Sequence, residues 1–182
     1  MSDYSHDIAQ ICKNGHVITT CYSDKPAEHK NFCPSCGDAT IIKCPSCEAT
    51  IVGSFYKTFI NRTSGNELLG IEPHTTLHKT FMNDIFIVPA YCHNCGEPYP
   101  WTSKFLKAAD EMVDMFDDLT SEQKQTLKST FPDLIIERPE SQLAALRASK
   151  IINGLQEFGK DILVNLLSEN VLPTLFTLMQ LK

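Results

Sequence analysis

Six of the eight cysteines stand in three Cys-x-x-Cys pairs, Cys33/Cys36, Cys44/Cys47 and Cys92/Cys95, and all eight fall within the first 95 of 182 residues. Two intervening residues let both sulfurs face one ion while backbone amides point at them, which is the chemistry of tetrahedral zinc. Gly37 and Gly96 follow the first and third pairs and permit the left-handed turn that closes such a knuckle. A structural zinc ion takes four protein ligands, so three pairs leave half a site to be found upstream.

There the chain reads Ile11-Cys12-Lys13-Asn14-Gly15-His16, a thiolate and an imidazole joined by an Asn-Gly turn. Cys12 and His16 with Cys33 and Cys36 form the preferred first set. Cys21 is the rival to His16, because four cysteines would need no histidine. The second set is Cys44 and Cys47 with Cys92 and Cys95, two knuckles joined through 44 intervening residues. Pairing Cys33/Cys36 with Cys44/Cys47 is disfavoured, since the remaining ligands would then have to combine over a much longer span. Both preferred sites are closed, whereas a catalytic zinc keeps an open position. No catalytic residue is therefore assigned, and the expected cofactor is two structural zinc ions per chain.

Two other groupings offer weaker chemistry. His74 and His78 stand four apart and would share a side on a helix, but Pro73 and the two threonines between them favour an exposed loop. Asp110, Glu111, Asp114, Asp117 and Asp118 form an acidic cluster without a glycine-rich phosphate loop, and read as a solvated helix face.

The elements that must carry the cysteines follow from the flanking residues. Ala49 to Ile60 and Ile85 to Tyr91 are rich in β-branched and aromatic residues and read as strands flanking the zinc knuckles. Asn61 to Asn66 is a turn cluster between them, so the insert is expected to add a hairpin. Beyond Pro100 there is neither cysteine nor histidine, and the pattern becomes helical. Phe105, Ala109, Met112, Phe116 and Leu119 make one stripe on a helix over about 103–119. Thr120-Ser-Glu-Gln123 reads as a capping box opening a second helix that Pro132 stops. A third carries Leu143, Leu146 and Ile151 up to Asn153-Gly154, a fourth carries Leu155, Phe158, Ile162 and Leu166, and a last segment runs from Val171 to Leu181. The expected fold class is α+β: an N-terminal double zinc-ribbon-like domain over residues 1–100 with short antiparallel strands, then a helical domain over 101–182.

Composition limits the partners. Lysine and arginine total 16 against 22 acidic residues, a formal charge of -6, and neither half has a basic excess. Seven thiolates on two zinc ions would take it to -9. Nucleic-acid binding, a common use of zinc ribbons, is thus the alternative function and is disfavoured by charge. The stretch from Ile162 to Leu181 is apolar, but Asn165, Glu169, Asn170 and Pro173 argue against a membrane span. Its leucines need cover, either in the chain's own helical core or from a protein partner or a homo-oligomer through the C-terminal helices. The acidic N-terminus has no signal-peptide pattern, so a reducing, cytoplasmic location is expected, where closely spaced cysteines bind metal.

The series Ile11-Cys-Lys-Asn-Gly-His16, Phe32-Cys-Pro-Ser-Cys-Gly37, Lys43-Cys-Pro-Ser-Cys47 and Tyr91-Cys-His-Asn-Cys-Gly-Glu-Pro-Tyr-Pro-Trp101 resembles an uncharacterised bacterial zinc-ribbon family, a domain of unknown function, over residues 4 to 103. The resemblance implies the same two ligand sets and leaves Cys21 as an extra cysteine. It implies no activity.

Overall fold

A computed structural model describes residues 3–63, 74–82, 85–171 and 173–179. The chain divides into two compact units, Met1–Pro100 and Trp101–Lys182. The first holds short antiparallel strands in a double zinc-ribbon-like arrangement, and the second holds helices.

In the first unit, β1 (Asp3–Ile8) and β2 (Gln10–Cys12) are one stretch of chain broken at Ala9. Ala9 is fully buried, and its amide donates to the Ile51 carbonyl at 2.9 Å. The break lets the stretch serve two sheets. β1 pairs with β5 (Val52–Thr63), which pairs in turn with β6 (His74–Phe81), while β2 lies between β3 (Val17–Thr19) and β4 (Thr40–Ile41). The expected hairpin is present, but Asn61 to Thr63 belong to strand and pair with Thr76 to His74. Residues 64–66 of the predicted turn lie outside the described residues. His74 and His78 are in β6 rather than a loop, because cross-strand pairing extends along the whole segment.

Alternation along β5 places Phe55 opposite His6 and Lys57 opposite Tyr4. Tyr4 and Phe55 stack with centroids 5.4 Å apart, and the Lys57 ammonium lies 5.2 Å from the Tyr4 centroid and 4.9 Å from that of Phe59. Aromatic and cation–π contacts of this kind hold β1 to β5 where little apolar core is available. The predicted strand over 85–91 does not form. Pro89 lacks an amide to donate, and antiparallel pairing shrinks to a single bridge between Tyr91 and Pro98. Ile85 and Ile87 are left exposed.

The second unit begins with α1 (Pro100–Asp114), whose opening proline sits where an amide would have no helical partner. Its buried residues are Thr102, Phe105, Ala109 and Val113. The helix stops at Asp114 rather than running to Leu119, and residues 115–119 continue as turns. The capping box opens α2 (Ser121–Leu134): Gln123 donates its amide to Thr120 Oγ1 at 3.2 Å, and Gln123 Oε1 accepts from the Thr120 amide at 2.9 Å. Pro132 does not end this helix. The missing hydrogen bond is offset by the burial of Phe131 and Leu134 on either side of it.

The third helix departs from expectation in phase. α3 (Ser141–Ile152) buries Ala144, Ala145, Ala148 and Ile152, while Leu143 and Leu146 are 50% and 57% exposed. α3 packs against α2, and small residues permit a close approach whose core is filled from α2. α4 (Glu157–Asn170) likewise buries Leu163 and Leu167 rather than Ile162, which is exposed; the Phe158 side chain lies outside the described residues. α5 (Pro173–Leu178) packs on α3 and α4, and Ser149 Oγ donates to the Met179 carbonyl at 2.7 Å. Leu181 lies outside the described residues. Among the described residues, no helix is long and apolar enough to cross a membrane.

Gly53 marks a close backbone crossing in the first unit. A Cβ there would fall onto the Thr20 carbonyl oxygen, 2.7 Å from the Ile8 carbonyl carbon and 2.9 Å from the Ala9 nitrogen. All three are main-chain atoms beside the break that separates β1 from β2. Gly53→Ala is accordingly expected to destabilise this unit by about 3 kcal/mol, measured as a lowered denaturation midpoint; an unchanged midpoint would show that the crossing can open.

Candidate metal centres

Each Cys-x-x-Cys pair is held by the same two main-chain bonds. The residue after the second cysteine donates its amide back to the carbonyl of the first: Gly37 to Cys33 at 2.8 Å, Glu48 to Cys44 at 2.9 Å, and Gly96 to Cys92 at 2.9 Å. The amides of Cys33, Cys44 and Cys92 in turn donate to the carbonyls of Asp38, Ala49 and Glu97, each at 2.8 Å. This turn needs a positive φ, taken by Gly37 at 73° and Gly96 at 76°. In the middle knuckle Glu48 takes it at 61°, a conformation that costs a residue with a side chain about 1 kcal/mol. Cys12 and His16 make a fourth knuckle with Gly15 at φ 89° and the Cys12 amide donating to the His16 carbonyl at 2.9 Å.

The knuckles meet in two clusters, Cys12, His16, Cys33 and Cys36 in one and Cys44, Cys47, Cys92 and Cys95 in the other. Within each, the potential ligand atoms all lie within 4.8 Å of one another. The sulfurs of Cys12 and Cys36 are 3.7 Å apart, those of Cys44 and Cys95 3.8 Å, and those of Cys47 and Cys92 3.6 Å. A metal with four sulfurs at about 2.3 Å has tetrahedral edges of about 3.8 Å. His16 Nδ1 lies 3.4 Å from the Cys12 sulfur and 3.6 Å from that of Cys33. An edge joining nitrogen and sulfur ligands of one zinc would be about 3.5 Å. These spacings suit a cation and are far longer than the ~2 Å of a disulfide. The donors, thiolates with one imidazole, fit zinc, and the two clusters can hold metal ions.

The structure thus brings His16, and not Cys21, to the first cluster. Cys21 is buried elsewhere, in a turn where its amide donates to Thr19 Oγ1 and its carbonyl accepts from the amides of Asp24 and Lys25. His93, inside the last knuckle, is exposed and outside the cluster. The acidic group, of which Asp117 and Asp118 lie past the end of α1, does not gather as a metal cluster among the described residues; Glu111 and Asp114 pair with Lys107 and Lys128.

Three residues around the clusters are not marked out by the cysteine spacing. Asn14 reaches from the first knuckle to donate its side-chain amide to the Cys36 sulfur of the facing knuckle at 3.3 Å. Asn94 does the same from the last knuckle to Cys47 at 3.5 Å. Each asparagine also donates its main-chain amide to the first cysteine of its own knuckle, Cys12 at 3.4 Å and Cys92 at 3.5 Å. Tyr99, almost fully buried, hydrogen-bonds through its hydroxyl to Cys92, and burial together with the Cys92 charge pushes the phenol above its usual range. The correspondence of Asn14 with Asn94 could have been found by aligning the Cys-x-Asn stretches of the two knuckles.

Electrostatics shows what the clusters require. The Asp38 amide and the Asn14 side chain hold the Cys36 thiol below its usual value, and the Ala49 amide and the Asn94 side chain do the same for Cys47. Burial pushes Cys92 up, but the amides of Asn94 and Cys95 and the Cys44 and Cys47 sulfurs more than offset it, bringing it down to about 6. The Glu97 amide lowers Cys95, yet burial and the sulfurs of Cys47, Cys92 and Cys44 outweigh it and push it up to about 12. Four thiolates cannot all carry charge at this distance without a cation, and a metal ion that supplies one must displace protons at neutral pH.

Removing an outer donor is expected to weaken metal retention by about 10- to 100-fold. Asn14→Ala should act on the first cluster only, and Asn94→Ala and Tyr99→Phe on the second, read as metal transfer to a chromogenic chelator; equal rates in all three variants would deny the three donors this role. A second expectation concerns pH. A thiol lowered to about 6 is already charged at pH 7, whereas below about 6 the metal must displace its proton as well. Affinity at the second cluster should therefore fall by about a further tenfold per pH unit once pH drops below that value, measured by chelator competition across pH; a slope that does not steepen would contradict the assignment.

Residues 5–68 and 71–175 match the model of a family described as "uncharacterized protein conserved in bacteria" (DUF2321). Both cysteine clusters lie inside the match, and so does most of the helical half, which the motif resemblance had not covered. No curated protein and no solved structure matches the chain. With nearly its whole described length under one family model, the chain belongs to this uncharacterised family of proteins conserved in bacteria.

Proposed function

We propose that the chain is a two-zinc protein in which zinc orders the N-terminal unit and the helical unit mediates protein–protein association. The observation that carries the zinc reading is that each cluster supplies four ligand atoms at tetrahedral spacing. Cys12, His16, Cys33 and Cys36 would hold one ion and Cys44, Cys47, Cys92 and Cys95 the other. With all four positions taken by protein, zinc is structural and offers substrate no open position.

The need for it is plain from the core. Among the described residues, and apart from cysteines, the fully buried large side chains of the first unit are Ile11, Ile51 and Tyr99, few for ordering a unit of this size by apolar burial alone. Structural zinc contributes on the order of 10 kcal/mol per site. Eight unpaired cysteines suit a reducing, cytoplasmic setting. Association is supported by half-exposed leucines on α3 and by Met115, 78% exposed.

Elemental analysis of the purified protein is expected to give two zinc ions per chain, and a strong chelator should unfold the first unit while most helical circular dichroism persists. A stoichiometry near zero or one would overturn the two-site reading. Loss of all helical signal on chelation would overturn the assignment of zinc to the first unit alone.

A further inference from the structure

Of the surfaces the zinc clusters leave unused, one pair is complementary within the same chain. A cavity of about 600 Å³ opens between the end of α1 and the start of α4. Met112, Met115, Phe116 and Ile162 supply its apolar wall. Glu111, Asp117 and Asp118 also line it, and the aspartates are exposed. At its floor, Gly159 lets the Phe116 ring come close to the α4 backbone, where a Cβ would meet the ring at 2.9 Å. The result is a methionine- and phenylalanine-lined groove bearing negative charge. Polyanions are repelled from such a surface, and a helix with apolar and basic residues on one face is attracted.

α3 presents that face. Leu143, Leu146, Arg147 and Lys150 stand at i, i+3, i+4 and i+7, and all four are exposed. These spacings put them on one side of the helix, two leucines at one end and two cations at the other. Among the described residues, the ion pairs of this unit use Lys107, Lys128 and Arg138, and not Arg147 or Lys150. The buried side of α3 is its alanine stripe, so the outward leucines and cations do no work within the chain's own core.

We infer that the α1/α4 groove of one copy receives the outward face of α3 from a second copy. Leu143 and Leu146 enter the apolar part, and Arg147 and Lys150 face Asp117 and Asp118. The inference rests on the association role proposed for the helical unit and names its two surfaces. Local complementarity acts at contact distance, whereas the repulsion between the net charges of two acidic chains acts mostly across more than the Debye length of about 8 Å and is largely screened at physiological salt.

Charge reversal tests it on the full-length, zinc-loaded chain. The wild type is expected to self-associate at micromolar concentrations in sedimentation equilibrium. Asp117→Lys with Asp118→Lys, and separately Arg147→Glu with Lys150→Glu, should each weaken association by about tenfold or more. An equimolar mixture of the two reversed proteins should restore it, because every groove then faces a helix of opposite charge. Leu146→Ser, which changes no charge, should weaken association of the wild type as well. All are exposed positions, and circular dichroism with zinc content verifies that each variant is folded. Association that persists undiminished in both reversed proteins would overturn the surfaces named here while leaving the association role standing. A mixture that stays dissociated would also overturn the pairing of these two faces. A zinc-loaded wild type that is monomeric throughout would overturn the second copy as partner without touching the zinc reading.

Discussion

The N-terminal unit gathers four potential ligand atoms into the space of one ion, twice. Within each cluster the ligand atoms lie within 4.8 Å of each other. Thiols so close would repel as thiolates, and the span from about 6 at Cys92 to about 12 at Cys95 expresses that repulsion. A divalent cation turns it into attraction. Everything else in the unit positions sulfur for that exchange: β2 carries Cys12 into the first cluster, and the β5–β6 insert separates the two knuckles of the second without disturbing their meeting.

The knuckles show how little sequence such positioning takes. Two main-chain hydrogen bonds and one left-handed residue recur at Cys33, Cys44 and Cys92, independent of the side chains between the cysteines. Glu48 adopts the left-handed turn without being glycine, so the turn is imposed by its surroundings and not by local preference. The asparagines add the second layer. Asn14 and Asn94 occupy matching places in different knuckles, and each bridges to a sulfur of the facing knuckle. Knuckle closure and knuckle pairing are thereby tied to the same short turns. Gly53 extends the same economy to the sheets, where main chain passes main chain too closely for any side chain.

The helical unit obeys the opposite physics. It has no cysteine, and its order comes from apolar burial at Phe105, Leu127, Phe131, Leu134, Leu163 and Leu167. Its helices bury small residues where they approach closely, and this forces larger ones outward. Leu143 and Leu146 are exposed because Ala144, Ala145 and Ala148 face inward. A surface so produced is available for association, and its pairing of leucines with Arg147 and Lys150 gives it a direction.

Spacing alone was enough to bring out the thiol groups that gather in two clusters able to hold metal ions, because each Cys-x-x-Cys turn is closed by its own main-chain hydrogen bonds. The capping box at Thr120 was legible for the same reason, since it depends on residues three positions apart. The preference for His16 over Cys21 came from its local Asn-Gly turn with Cys12; what took tertiary structure was bringing that turn beside Cys33 and Cys36 through β2 and β4 while Cys21 stays outside the cluster. Helix phase on α3 and α4 was likewise misread from the leucines, since the neighbouring helix decides which stripe is buried. Pro132 remains helical because the residues around it are buried, and 85–91 fails to become a strand because its antiparallel pairing is confined to the bridge of Tyr91 with Pro98. What the sequence determined were short-range devices closed by their own backbone bonds; what tertiary structure decided were the contacts between segments far apart in the chain, whose free energy outweighs local preference wherever the two conflict.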